Sequence, residues 1–253
     1  MKLDPESLQW QFDVYRWLFQ NFGGYTSFLT RDLVLPTSEF SPENHPKSIF
    51  ERMKHFAWMS DWPCYLSTND EPLPIENAKP YPDCVYRPET EEDDSEENQP
   101  TIFHYCEGLD DQPTQVIATF AHYLAYYQIH QASTSPPLGG EYLEYTTDLT
   151  AVFLGFGVFV ANASFQFSQW QDHAWQGWSY RRQGYLGELD LAYGLALFCL
   201  LKDCNPKPVR RHLRPNPRSY FKTALRHLRK HHRSDLEALM NVQPLLQDEK
   251  WNE

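Results

Sequence analysis

His122 lies in an apolar stretch, "AHYLAYYQIH" (residues 121–130), and two carboxylates, Glu144 and Asp148, follow it. A histidine nitrogen and a glutamate oxygen are both zinc ligands. Glu144 and Asp148 stand four apart, so a helix projects both from one side. That spacing has a chemical use: Glu144 can bind a metal while Asp148, one turn on, orients a ligand histidine from behind. A bland reading competes with it. A histidine on an apolar helix is usually a hydrogen-bonded core residue, and acids often stand in the solvated first turn of a helix.

Three long helices must carry these residues: about 113–132, 141–163 and 187–202. The first two pack antiparallel in this reading. Upstream, Asp4-Pro5 supplies an N-cap and a helix-first proline. Leu8, Phe12, Tyr15, Phe19 and Phe22 then share one face until Gly23-Gly24 ends the helix. Residues 31–48 read as proline-punctuated coil, and Ile49 to Met59 as a second helix. Between Asp61 and Pro100 prolines recur too often for a long helix, and Tyr81–Arg87 and Thr101–Cys106 read as short strands. Phe221, Leu225 and Leu228 stripe a basic helix near the carboxyl end. Ser234 and Glu237 read as a capping box opening a last helix, with Leu236, Leu239 and Met240 inward and Pro244 as its stop.

The expected fold is mainly α, of the α+β kind, with a small β element, in a single domain over 1–253. Its parts are N-terminal helices (1–60), a proline-rich and acidic region with short strands (61–112), the helices bearing His122, Glu144 and Asp148 (113–203), and basic C-terminal helices (204–253). Sixteen Phe, 15 Tyr and 8 Trp argue for a packed globular chain rather than a disordered one. The amino terminus has no apolar signal core. The longest apolar run, Leu149 to Ala161, is shorter than the roughly 20 residues that span a bilayer. It reads as a buried helix, with no membrane role. Five cysteines (Cys64, Cys84, Cys106, Cys199, Cys204) without a CxxC pair suit buried thiols in a reducing cytoplasm.

Net charge is −12 but unevenly spread. Lys202 to Arg233 holds 11 Lys/Arg against one acid, Asp203, leaving 11 basic and 33 acidic residues elsewhere. The run Glu89 to Glu97 reads as a solvated acidic loop. The acidic balance disfavours nucleic acid and suits a basic protein partner. Arg210, Arg211, Arg214, Arg218, Lys222, Arg226, Arg229 and Lys230 could track a nucleic-acid backbone with Tyr220 stacking. More often such a helix buries its apolar face and leaves the charges solvated.

With Glu144-x-x-x-Asp148 downstream of His122, the arrangement resembles the gluzincin metallopeptidases, whose site is His-Glu-x-x-His on one helix and Glu-x-x-x-Asp on the next. "TTDLTAVFLGFGVFVANASF", "RRQGYLGELDLAYGLALF", "VLPTSEF" and "DWPCYL" are similar to an uncharacterised bacterial family with that motif. The resemblance covers Gln9 to about Leu201 and implies a helical zincin-like domain.

Carried over, it puts His122 at the first zinc-ligand position, Glu144 at the third and Asp148 behind the ligand histidine. Tyr123 stands where the catalytic glutamate belongs, and Tyr126 where the second ligand histidine belongs. A catalytic zinc takes three protein ligands and keeps one open position. Two ligands bind weakly, and without the glutamate no carboxylate takes a proton from metal-bound water. A phenol with a pKa of about 10 is a poor substitute base at neutral pH. No residue is therefore assigned a catalytic role, and His122 and Glu144 are vestigial metal positions.

His130 is no replacement ligand, because it lies two turns beyond His122 with about 80° of rotation on an ideal helix. Ser164, Ser168 and His173 form no nucleophile elbow, and no Gly-rich phosphate loop appears. Two function classes remain: a catalytically inactive metallopeptidase-like protein that works by binding a protein partner, and a zinc-dependent hydrolase with a non-standard ligand set. The first expects no cofactor and the second expects zinc.

Overall fold

The computed structural model describes residues 2–36, 45–67, 79–80, 85–87, 101–104, 113–164 and 186–245. Helix α1 (Pro5–Asn21) begins where Asp4 Oδ1 accepts the Glu6 amide at 2.9 Å, with Pro5 in the first turn. Leu8, Phe12, Tyr15 and Phe19 bury the predicted face. The chain then turns through Gly23 (φ +84°) into a second short helix, α2 (Gly24–Thr30). The two glycines thus join two helices rather than ending in coil. Lys202 anchors the end of α2 through the carbonyls of Leu29, at 2.7 Å, and Arg31.

Helix α3 (Pro46–Phe56) starts three residues before the predicted point, with His45 accepting the Lys47 amide. A four-stranded sheet follows in the order β1-β4-β3-β2, from β1 (Cys64–Ser67), β2 (Lys79–Pro80), β3 (Val85–Arg87) and β4 (Thr101–His104). β1 runs parallel to β4, pairing Cys64 with Thr101 and Ser67 with His104. The β3–β4 and β2–β3 pairs are antiparallel.

The core helices are α4 (Pro113–His130), α5 (Leu143–Ala151) and α6 (157–164). A π-helical turn over Val152–Phe156 joins α5 to α6. In that turn Gly155 has φ +100°, and a Cβ there would strike the Asp32 carbonyl oxygen. The Gly155 carbonyl accepts the Val34 amide at 3.0 Å, so residues 31–36 lie against the turn. Counted from Gly140 to Ser164, this segment is long and apolar enough to cross a membrane by length and composition alone. Its apolar window is nonetheless wholly buried in the fold.

α7 (Glu188–Leu201) is apolar on all sides and packs against α9 (Pro215–His231). Short α8 (Pro206–His212) precedes α9, and α10 (Arg233–Met240) follows it. Phe221, Leu225 and Leu228 are buried on α9, as are Leu236 and Leu239 on α10. The capping box is a correction. His232, not Ser234, is the N-cap of α10, and no side chain caps it. Instead His232 Nδ1 meets Asp235 Oδ2 at 2.8 Å and Arg233 Nε donates to Glu237 Oε1 at 2.9 Å.

The buried residues form one cluster centred on aromatic rings. Phe28 stacks on Phe153 (5.2 Å between centroids) and meets Phe198 edge-on at 5.1 Å. Tyr15 Oη donates to the Gly194 carbonyl at 2.9 Å, tying α1 to α7. A Cβ at Gly194 would crowd Leu149 Cδ1 to 2.5 Å, so α7 approaches α5 closely at a residue without a side chain. The result is a mainly helical molecule with a small sheet at one side.

Candidate functional site

α4 packs against α5, and the contact brings His122 between the two carboxylates. His122 Nε2 lies 3.4 Å from Glu144 Oε2, and Nδ1 lies 3.3 Å from Asp148 Oδ1. The second Asp148 oxygen accepts the Leu186 amide at 2.9 Å. Asp148 therefore bridges the histidine and the chain entering α7. Side-chain exposure falls from 31% at Glu144 through 13% at His122 to 3% at Asp148. The cluster meets solvent on the Glu144 side.

Burial alone would pull the His122 pKa down. The hydrogen bonds to Asp148 and Glu144, and their negative charge, outweigh it and push the imidazole up to about 9. At neutral pH His122 is an imidazolium between two carboxylates. The bland reading holds in part: His122 is a hydrogen-bonded, mostly buried residue and Glu144 a part-exposed acid in the first turn of α5, whereas Asp148 is deeply buried rather than solvated.

Tyr123 and Tyr126 are both buried. The Tyr123 ring lies flat on Phe103 of β4, with centroids 4.9 Å apart and planes within 4°. Tyr126 packs its ring on His130 at 4.1 Å. His130 turns back on its own helix, with Nδ1 2.8 Å from the Tyr126 carbonyl oxygen. Ser164 donates to the Ala161 carbonyl at 3.1 Å, whereas Ser168 and His173 lie outside the described residues. So do the acidic run 89–97 and two cysteines, Cys84 and Cys106.

The donor set can be tested against zinc. Two ligands on a tetrahedral zinc with bonds of about 2.0–2.1 Å stand about 3.3 Å apart. The 3.4 Å between His122 Nε2 and Glu144 Oε2 matches that edge, and Asp148 sits on the far nitrogen, where an orienting carboxylate belongs. Among the described residues no third donor joins the pair, and the residue one turn beyond His122 is a tyrosine packed on His130. Among the described residues, no group of three or more His, Cys, Asp or Glu side chains is arranged to hold a metal ion. The described residues do not by themselves complete the donor set of a catalytic zinc.

No family model, curated protein or solved structure matches the chain.

The sequence reading missed the Leu186 amide. It comes from the residue just ahead of α7, 38 positions downstream of Asp148. A buried carboxylate with one oxygen on a histidine is the signal that a second donor must exist for the other oxygen.

Proposed function

We propose that this chain is a catalytically inactive, metallopeptidase-like protein with a helical zincin-like domain, acting by binding a protein partner in the cytoplasm. The observation that carries the reading is the His122–Glu144 contact at 3.4 Å with Asp148 behind it. It is the spacing of two metal donors and their orienting acid, closed into an ion cluster. Tyr123 and Tyr126, buried against Phe103 and His130, take the positions of the base and the third donor. Chemistry is thereby lost while the scaffold is kept. The acidic balance of the chain outside 202–233 makes a basic protein the partner class that suits its surface.

Elemental analysis of the purified full-length protein, combined with a chelator-controlled peptide hydrolysis assay, tests the inactive half of the proposal. Zinc far below one per chain and no chelator-sensitive hydrolysis are the expected results. Stoichiometric zinc with chelator-sensitive turnover would favour the hydrolase with a non-standard ligand set. The binding half is tested by affinity capture with the parent and with Glu144→Lys, whose side chain stands at the open side of the cluster. A basic protein held by the parent and lost by the variant is expected; identical captures would remove the cleft as the contact.

A further inference from the structure

A second feature lies away from the α4–α5 cluster and does not depend on it. α8 and α9 form a groove of about 590 Å³ lined by Pro206, Arg210, Lys222, Leu225, Arg226, Arg229 and Lys230. Five of these seven residues are cationic and none is acidic. Lys222, Arg226, Arg229 and Lys230 recur at helical spacing along one face of α9, and Arg210 closes the groove from α8. Among the described residues none of the five is ion-paired, although the chain as a whole carries a charge of −12. The buried Arg210 Nε has no hydrogen-bond partner among the described residues.

We infer that the α8–α9 groove is a binding site for a compact, multiply charged phosphate ligand. Three guanidiniums supply planar forks that match phosphate oxygens, and two lysines add point charges. Leu225 and Pro206 give it an apolar wall. Its volume falls within the roughly 300–1,000 Å³ typical of small-molecule sites. Two features argue against a nucleic-acid strand. Among the described residues no aromatic ring lines the groove to stack on bases, and the acidic remainder of the chain repels a polyanion extending beyond it.

The test is calorimetric titration of the full-length protein with inorganic tripolyphosphate at about 0.15 M salt, where exposed charges are screened beyond about 8 Å. One saturable site is expected, binding tripolyphosphate at least about tenfold more tightly than orthophosphate, as adjacent phosphoryl groups engage more forks. Arg226→Ala and Arg210→Ala should each weaken it by about tenfold or more, whereas Arg226→Lys keeps the charge and should recover part of the loss. Circular dichroism confirms that each variant is folded. ATP and inositol hexakisphosphate, titrated in parallel, distinguish a nucleotide from a sugar phosphate as the source of the phosphates. Absence of saturable binding would overturn the proposal, as would equal affinity for orthophosphate or indifference to all three substitutions. Tighter binding of a 20-base-pair DNA duplex, with a salt dependence of several released ions, would make the face a nucleic-acid surface instead.

Discussion

Asp148 joins His122 to Leu186: one carboxylate oxygen meets the imidazole at 3.3 Å and the other accepts the Leu186 amide at 2.9 Å. The aspartate is 3% exposed, so both partners are needed to hold its charge in the interior. Removing that charge from between a cationic ring and an amide leaves both undersatisfied. Asp148→Asn is expected to destabilise the fold by about 2–4 kcal/mol in urea unfolding, the range for breaking a buried, hydrogen-bonded ion pair. Glu144→Gln, at the wetter end, should cost about 1 kcal/mol or less. Equal losses would mean that the two carboxylates hold the histidine alike.

His122 also gives the fold a pH dependence of definite sign. Burial acts to lower its pKa, but Asp148 and Glu144 together push it up to about 9, above its value in an unfolded chain of about 6.5. The imidazolium's contribution is therefore complete below about pH 6.5 and is lost as pH rises through 9. The size is about 3 kcal/mol, from the shift between the two states. Urea stabilities of the parent and His122→Gln, compared from about pH 6 to pH 10, should converge over that window. A gap that stays constant to pH 10 would contradict the ion cluster.

Among the described glycines, Gly155 has the least tolerance for a side chain. Its φ of +100° lies where L residues are strained, and a Cβ would meet the Asp32 carbonyl. Gly155→Ala should lower stability by about 3 kcal/mol or more, read from the urea midpoint, because strain and backbone collision add. A small loss would show that residues 31–36 can move off the π turn freely.

Among the described thiols, Cys204 is expected to react first. A hydrogen bond with the Cys199 thiol and the nearby Lys202 charge bring it down to about 7 against its partial burial. Burial pushes Cys64 up to about 12. Brief alkylation near neutral pH, followed by peptide mass spectrometry, should modify Cys204 well before Cys64 or Cys199, since the thiolate is the nucleophile. Labelling of Cys64 first would overturn the order.

The site was legible because its determinants are local. Glu144 and Asp148 share a helix side through their spacing, and the neighbouring apolar helix bears His122, so one helix–helix contact brings the three together. Asp4, Pro5 and the α1 stripe were legible for the same reason. What escaped the sequence is nonlocal or ambiguous. β1 pairs with β4 across more than thirty intervening residues, and no pattern in Cys64–Ser67 announces it. α2 is hidden behind two glycines that usually end helices. The Ser234–Glu237 spacing mimics a capping box, yet Pro215–His231 runs on until His232, which leaves Ser234 inside α10. The Leu186 partner of Asp148 depends on a chain return that no local pattern records.

On the proposed reading, α4 and α5 still present the donors of a lost metal site together. The most direct test is a zinc titration by calorimetry of the full-length parent and of Tyr126→His, both shown to be folded. Residue 126 lies one turn beyond His122 on the same face, so a histidine there completes a three-donor set with His122 and Glu144. Its ring must replace a buried phenol packed on His130, and activity need not return with affinity. Tyr126→His is expected to bind one zinc at least about 100-fold more tightly than the parent, as a third ligand turns a two-point contact into a tetrahedral site. Unchanged affinity in the folded variant would contradict it.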